Sequence, residues 1–207
     1  AYGRDTLTQL QLNTCAACHA RKSDVSPKVV RSHEIMDDLI PQVISNEMYF
    51  PDGQIKEEDY EYGSFTQSKM FHNNVRCSNC HNPHSGKLRL SGNNLCLSCH
   101  KPNYNTKAHH FHQPDGEGAQ CINCHMVSRT YMGVDHRRDH SFRVPRPDQS
   151  VQYGTPNACN TCHADQTPGW AAGKVKSWYG PVRKYHFSDD LIPGSLLNAE
   201  SEIHLVK

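Results

Sequence analysis

The sequence predicts a mainly α-helical fold with extensive loops and little or no β-sheet. Two observations lead to this prediction. Five short motifs of cysteine and histidine break the chain into brief turns, and hydrophobic residues make up only 36% of the 207 residues, with a mean hydropathy of −0.76. Such a composition is poor in the side chains that build an ordinary apolar core. Because the net charge is only +1, intrinsic disorder is not expected either.

All ten cysteines occur in the pattern Cys-x-x-Cys-His, which we number motif 1 to motif 5 along the chain. This is the attachment pattern of c-type haem: two thiols add to the haem vinyl groups, and the adjacent histidine is the proximal iron ligand. The sequence therefore predicts five covalent haem c groups stacked at the centre of a multihaem cytochrome c fold. The attachment residues are Cys15, Cys18 and His19; Cys77, Cys80 and His81; Cys96, Cys99 and His100; Cys121, Cys124 and His125; Cys159, Cys162 and His163.

Three other uses of the cysteines are weaker explanations. The spacing of Cys77, Cys80, Cys96 and Cys99 fits a zinc ribbon, but a four-cysteine zinc site needs no histidine after every second cysteine. A disulfide framework also leaves the repeated histidine unexplained, and the chain is long for one. Thioredoxin-like redox pairs would not occur in five copies.

The whole chain, 1–207, is expected to form one domain. Its haem-binding core is expected over 14–180, with a C-terminal extension over 181–207 that is a candidate for contact with a neighbouring subunit. Residues 1–14 are expected to be a short lead into motif 1. Ser26-Pro27 predicts a helix start, with a helical face through Val29, His33, Met36 and Ile40 that ends at Pro41.

Later segments alternate between helix and loop. Residues 50–63 are predicted to be a turn followed by solvated polar chain, and Ser64 to Asn73 a helix. A basic surface loop is the simplest interpretation of 131–147. Thr167-Pro168 predicts a helix start, and Gly180-Pro181 ends that helix at about Tyr179.

Ten histidines remain after the five proximal ones, enough for a second imidazole on every iron. Bis-histidine ligation is typical of low-potential electron transfer. Position near the motifs selects the candidate distal ligands. For His33 three roles stay open: a distal ligand, a packed or surface histidine, or a contact to a neighbouring subunit. The predicted distal ligands are His72, His84, His109, His110, His112 and His140.

A basic segment follows motif 4. Guanidinium groups pair well with carboxylates, and haem propionates need such partners. We expect propionate contacts from Arg137, Arg138, Arg143 and Arg146. Nucleic acid is not an expected partner, since no wider basic surface accompanies this segment.

Location follows from the cofactor chemistry. No run of 18 or more apolar residues is present, so no transmembrane segment is expected. Haem c is attached outside the cytoplasm in bacteria and archaea, so a chain that carries it must be exported. The first residues do not have the pattern of a signal peptide. We therefore expect an exported chain, periplasmic or extracellular at the cell surface, whose signal has been removed.

Six further local motifs of the chain are distinctive: Tyr62-Gly-Ser-Phe65, Gln67-Ser-Lys-Met70, Cys80-His-Asn-Pro-His84, Ala108-His-His-Phe-His112, Arg137-Arg-Asp-His-Ser-Phe-Arg143-Val-Pro-Arg-Pro-Asp148 and Gly154-Thr-Pro-Asn-Ala-Cys159. Together they resemble the cytochrome domain of multihaem c-type cytochromes that often carry tetratricopeptide repeats. The resemblance covers roughly Cys15 to Gly180 and implies an exported electron-transfer protein. His136 departs from it, standing where many relatives have proline, and no helical repeats follow. More weakly, the chain resembles subunits of extracellular cytochrome filaments.

The predicted function is electron relay through closely spaced haems rather than catalysis. Redox proteins are the expected partners, and copies of the chain are expected to associate, in one version as a head-to-tail filament. The alternative is a multihaem reductase of a small nitrogen or sulfur oxyanion, which needs one iron with an open site. Pentahaem nitrite reductases use Cys-x-x-Cys-Lys at that site, and no motif here ends in lysine.

Overall fold

The structure, a computed structural model, describes residues 6–25 and 35–197. Within these ranges the chain forms short helices, two small sheets and long connections. The helices are α1 Thr6–His19, α2 Ile35–Asp38, α3 Tyr60–Gln67, α4 Lys69–His72, α5 Cys77–Cys80, α6 Asn93–Leu97, α7 Lys107–His110, α8 Cys121–His125, α9 Pro147–Tyr153, α10 Ala158–Cys162, α11 Pro168–Tyr179 and α12 Ser188–Ser195, with 3-10 turns at Pro102–Asn105 and Glu117–Ala119. The predicted fold class is confirmed.

Each sheet is a two-stranded antiparallel pair. Strand β1, Lys22–Asp24, pairs with β2, Leu39–Pro41, and β3, Ser128–Tyr131, pairs with β4, Asp135–Arg138. The second pair corrects the expectation of a loop over 131–147. Met132 and Gly133 both adopt positive φ, which gives the tight turn that closes a hairpin.

In the described part of the chain, the apolar core consists of three small clusters outside the centre of the sequence. Ala16, Ala20, Ile35 and Leu39 form one, Met48, Tyr49, Ile55 and Tyr131 another, and Leu12, Phe65 and Phe71 the third. From His72 to Gly118 no residue is buried, although this stretch contains motifs 2 and 3. Protein side chains alone therefore supply no interior to the centre of the chain.

The predicted C-terminal helix is confirmed as α11. The Thr167 side chain accepts a hydrogen bond from the Trp170 backbone N–H, Pro168 occupies the first turn, and Gly180 with φ 86° ends the helix. The helix predicted over Ser64 to Asn73 is only partly right. Ser68 is extended, with φ −72° and ψ 144°, and caps α4, so the segment is divided into α3 and α4.

Two N-terminal expectations also need correction. Residues 1–14 are not merely a lead, because α1 begins at Thr6 and continues through motif 1. The helix expected to end at Pro41 does not reach that far: Leu39–Pro41 is a strand paired with Lys22–Asp24, and the Met36 and Ile40 side chains are exposed. Its predicted start and His33 lie outside the described residues.

The segment 50–63 is not solvated as predicted. Asp52, Glu58 and Asp59 are all buried, and the Asp59 carboxylate accepts a hydrogen bond from the Tyr49 hydroxyl. Burial raises the pKa of Asp59 to about 6. Arg143, distant in sequence, donates to the main-chain oxygen of Asp52 at 2.6 Å, so long-range partners make this burial possible.

The described part of the C-terminal extension packs onto the rest of the chain. Arg146 forms an ion pair with Asp189 at 2.9 Å, and the Arg143 guanidinium lies over the Phe187 ring at 4.7 Å. Residues 198–207 lie outside the described residues. Among the helices in 6–25 and 35–197, none has both the length and the hydrophobicity needed to cross a membrane.

Candidate haem-binding site

Each Cys-x-x-Cys-His motif lies on one helical turn. In motifs 2, 3 and 5 the histidine N–H donates to the main-chain oxygen of the first cysteine, at 2.8, 2.9 and 2.9 Å. Motif 1 ends α1, and motif 4 is α8. Residues three apart on a helical turn face the same side, so both thiols of a motif can reach one ligand edge. None of the ten cysteines forms a disulfide bond.

The motifs follow one another in space in the same order as along the chain. The Cys77 thiol hydrogen-bonds to Cys15 and thereby lowers the pKa of Cys15 to about 6. Burial raises the pKa of Cys96 and of Cys124 to about 11. The thiols of consecutive motifs that interact are Cys15 with Cys77, Cys80 with Cys99, Cys96 with Cys121, and Cys124 with Cys159.

Three of the predicted distal histidines each lie opposite a motif histidine. The ring centroids of His81 and His140 are 6.4 Å apart, with an interplanar angle of 32°. Those of His109 and His125 are 6.2 Å apart with planes at 9°. Those of His112 and His163 are 6.3 Å apart with planes at 34°. Motifs 2, 4 and 5 thus each have a facing imidazole.

These separations fit an iron held between two imidazoles. With each nitrogen about 2 Å from the metal on opposite faces, the ring centroids are roughly 6.3 Å apart. Direct contact between the rings would bring them closer. The spacing and the unburied stretch from His72 to Gly118 together fit haem groups, which would fill the space that side chains leave.

Hydrogen bonds from Nδ1 of these rings leave Nε2 as the nitrogen available to a metal. The Nδ1–H of His125 donates to the main-chain oxygen of Arg143 at 2.6 Å, and that of His140 donates to Arg138 at 3.0 Å. His112 Nδ1 bonds in the same way to the main-chain oxygen of His110. In all three rings Nε2 then carries the lone pair that a metal needs.

Burial also favours the metal-binding form. It lowers the pKa of His109, of His125 and of His140, because desolvation disfavours the charged imidazolium. Neutral imidazole is the form that ligates a metal. The three rings are therefore held neutral by their surroundings.

Helix α11 holds the segment that presents two of the facing histidines. Phe111 has φ 58°, which ends α7 and turns His112 away from His109. The Phe111 ring stacks on Trp178, with centroids 4.6 Å apart, and the Tyr179 hydroxyl donates to the main-chain oxygen of His109. His109 and His112 can consequently serve two different motifs.

Other predicted ligands are not brought opposite a motif histidine. Among the described ring contacts, His72 lies beside Phe71, and neither His84 nor His110 faces a motif histidine. His19 and His100 likewise have no histidine among their described ring contacts. The distal roles of His72, His84 and His110 remain predictions.

The four arginines predicted to contact propionates already have protein partners. Arg137 lies within 3.6 Å of carboxylates of Glu61 and Asp135, and Arg138 donates to the main-chain oxygens of Ile122 and Met126. Arg143 donates to the Ser141 hydroxyl and the Asp52 main chain, and Arg146 pairs with Asp148 and Asp189. Their propionate role stays a prediction.

Sequence reasoning missed several residues that shape the site. A Cβ on Gly118 would lie 2.3 Å from Cδ2 of His112, so only glycine leaves room for that ring. Trp178 and Tyr179 support the 109–112 segment, and Glu61 bonds to His19. The only sequence signal was the aromatic pair at the end of a predicted helix.

A four-thiolate zinc site is not formed. Among the described residues, no three His, Cys, Asp or Glu side chains converge as metal ligands. Zinc held by Cys77, Cys80, Cys96 and Cys99 would need such a cluster. A haem iron needs only two protein ligands, on opposite sides, as in the three histidine pairs.

Comparisons with known proteins bear on the motifs and on the fold. The family described as the doubled CXXCH motif matches residues 71–105, which include motifs 2 and 3. The fold is similar to the crystal structure of the outer cell wall cytochrome OcwA, with a TM-score of 0.61 and 16% sequence identity over 81% of this chain. No curated sequence matches.

The doubled motif and the fold support a multihaem c-type cytochrome, and the CXXCH motifs support haem c binding. The chain spans about half the length of the outer cell wall cytochrome that it resembles, because the match covers 51% of that chain.

Proposed function

We propose that this chain is an exported electron-transfer protein that carries five covalent haem c groups in series. The observation that supports this most is the packing of the motif helices in sequence order: α1 of motif 1 packs against α5 of motif 2, α6 of motif 3 against α8 of motif 4, and α8 against α10 of motif 5. Short spacing between successive cofactors is what electron relay requires. The bound haems would supply the one-electron chemistry.

The contribution of the protein is to hold the histidine ligands of the haem irons in fixed positions. His140, His109 and His112 face the histidines of motifs 2, 4 and 5 at 6.2 to 6.4 Å between centroids. Two imidazoles on an iron leave no position for a substrate, which favours transfer over catalysis. Hydrogen bonds to main-chain oxygens hold these rings in place.

The number of haems and their ligation are tested together. We expect a pyridine haemochrome assay and intact mass to give five haems per chain, and electron paramagnetic resonance to show low-spin ferric iron. Fewer than five attached haems would contradict the proposal.

A multihaem reductase is the second candidate, because His19 and His100 have no facing histidine among the described residues. Such an enzyme would show a high-spin ferric signal and oxidation of the reduced haems by nitrite or hydroxylamine with turnover. The relay proposal predicts neither.

We also propose an exported location and association between copies. Haem c attachment and the similarity to an outer cell wall cytochrome support the location. Exposed apolar side chains near motif 1, among them Leu7, Met36, Ile40 and Val43, support self-association through that end. Negative-stain imaging across a concentration series should show filaments or oligomers, and monomers at every concentration would reject this part.

A further inference from the structure

The histidine of motif 1 contacts a carboxylate. Nδ1 of His19 lies 3.0 Å from Oε2 of Glu61, so the imidazole N–H donates to a carboxylate. The Nδ1 atoms of His112, His125 and His140 bond instead to uncharged main-chain oxygens. Glu61 is in the first turn of α3, which packs against α1 and its motif.

A second contact fixes the orientation of that carboxylate. Oε1 of Glu61 lies 3.6 Å from Nη1 of Arg137, while Oε2 faces His19. Arg137 is also 3.4 Å from Glu58 and 3.6 Å from Asp135. Three carboxylates thus share one guanidinium beside motif 1, and Oε2 of Glu61 stays directed at His19.

A carboxylate that accepts the distant N–H of a metal-bound imidazole makes that ligand more basic. A more basic ligand and nearby negative charge both stabilise the ferric state over the ferrous state. We propose that Glu61 is a positioning residue that lowers the reduction potential of the haem at motif 1, at one end of the series. This rests on the proposed haem binding at that motif.

The consequence is a direction for transfer. An electron on the haem of motif 1 is held less tightly than it would be without Glu61, which biases its movement toward motif 2. The His19 side chain is also exposed, with 62% of it accessible. Exposure at this end suits exchange with an outside donor.

The test substitutes Glu61→Gln in the full haem-loaded chain. The amide keeps the shape and removes the charge. We expect the ferrous-to-ferric ratio of one haem to rise about fivefold at fixed potential, equal to about 40 mV for a one-electron couple. Spectroelectrochemistry measures this, and electron paramagnetic resonance should show altered g values for one low-spin haem of the five.

Glu57→Gln is the matched control, since it removes the same charge from an exposed position four residues away. An equal shift in the control, a uniform shift of all five haems, or no shift in Glu61→Gln would each overturn the proposal. Should Glu61→Gln fail to fold, Arg137→Gln is the second variant. It removes the guanidinium that pairs with Glu61, so the reduction potential of the haem at motif 1 should fall instead of rise. An unchanged or higher reduction potential of that haem in Arg137→Gln would also overturn the proposal. A haem count below five in the unsubstituted chain would contradict the proposed function instead.

Discussion

The ring of Phe111 stacks on the indole of Trp178, with centroids 4.6 Å apart and planes at 3° to one another. This pair joins the segment that carries His109 and His112 to helix α11. Trp178→Ala should lower the free energy of unfolding by about 2 kcal/mol, less than for a fully buried tryptophan because Trp178 is half-buried. Chemical denaturation followed by circular dichroism measures this change.

The same substitution should loosen ligands at motifs 4 and 5 and produce a high-spin ferric signal. Trp178→Phe, which retains a stacking ring, is the control and should keep the low-spin spectrum. A low-spin spectrum in Trp178→Ala would show that α11 does not hold the ligands.

Gly118→Ala should displace His112 and weaken its pairing with His163. The added Cβ would lie 2.3 Å from Cδ2 and 2.5 Å from Cγ of the His112 ring, too close for any ordinary contact. We expect high-spin iron at one haem, detected by electron paramagnetic resonance. Gly116→Ala is the control, because its Cβ would meet only the Gln113 main-chain oxygen at 3.4 Å. Equal spectra for the two variants would contradict the assignment of His112.

His140→Ala should convert one haem, that of motif 2, from low spin to high spin. The physical reason is the loss of the ring that faces His81 at 6.4 Å between centroids. His136→Ala is the matched control from the same segment, since His136 is exposed and contacts Thr130. The prediction is wrong if both variants keep every iron low-spin.

His186 should make the folded protein sensitive to acid. It is buried, and desolvation together with Arg143 and Arg146 lowers its pKa to about 3. The unfolded chain binds this proton near pH 6.5 while the folded chain does not, so stability falls as pH decreases from about 6.5 toward 3. At pH 5 the loss amounts to about 2 kcal/mol.

His186→Gln removes this titration and should flatten the dependence. The measurement is the difference in melting temperature between pH 7 and pH 5, compared for the two proteins. Parallel pH profiles would show that His186 is not the responsible group. The comparison cancels the other acidic groups, which titrate in both proteins.

The sequence predicted those features that depend on local chemistry. The five motifs required helical turns, and Thr167-Pro168 and Gly180 marked both ends of α11, as the structure confirms. Little sheet was expected because the five motifs break the chain into brief turns. Each of these follows from residues within a few positions of one another.

What the sequence did not predict depends on partners far along the chain. Asp52 and Asp59 look solvated in their own polar segment, yet they are buried by Arg143 and Tyr49. Among the distal candidates, only pairing in space separates His109, His112 and His140 from the rest. Glu61 had no local signal, because its partner His19 lies in another helix.

The absence of buried residues from His72 to Gly118 bears on how the protein is made. Flanking segments contain their own apolar clusters and can begin to close as soon as the chain emerges. The stretch from His72 to Gly118 cannot do so, because it has no buried side chains of its own and would gain an interior only when the haems are attached. We therefore expect the thiols of motifs 2 and 3 to be accessible on an open chain when haem is attached, and this stretch to complete its folding only on attachment. Before attachment, proteases should cut this stretch first.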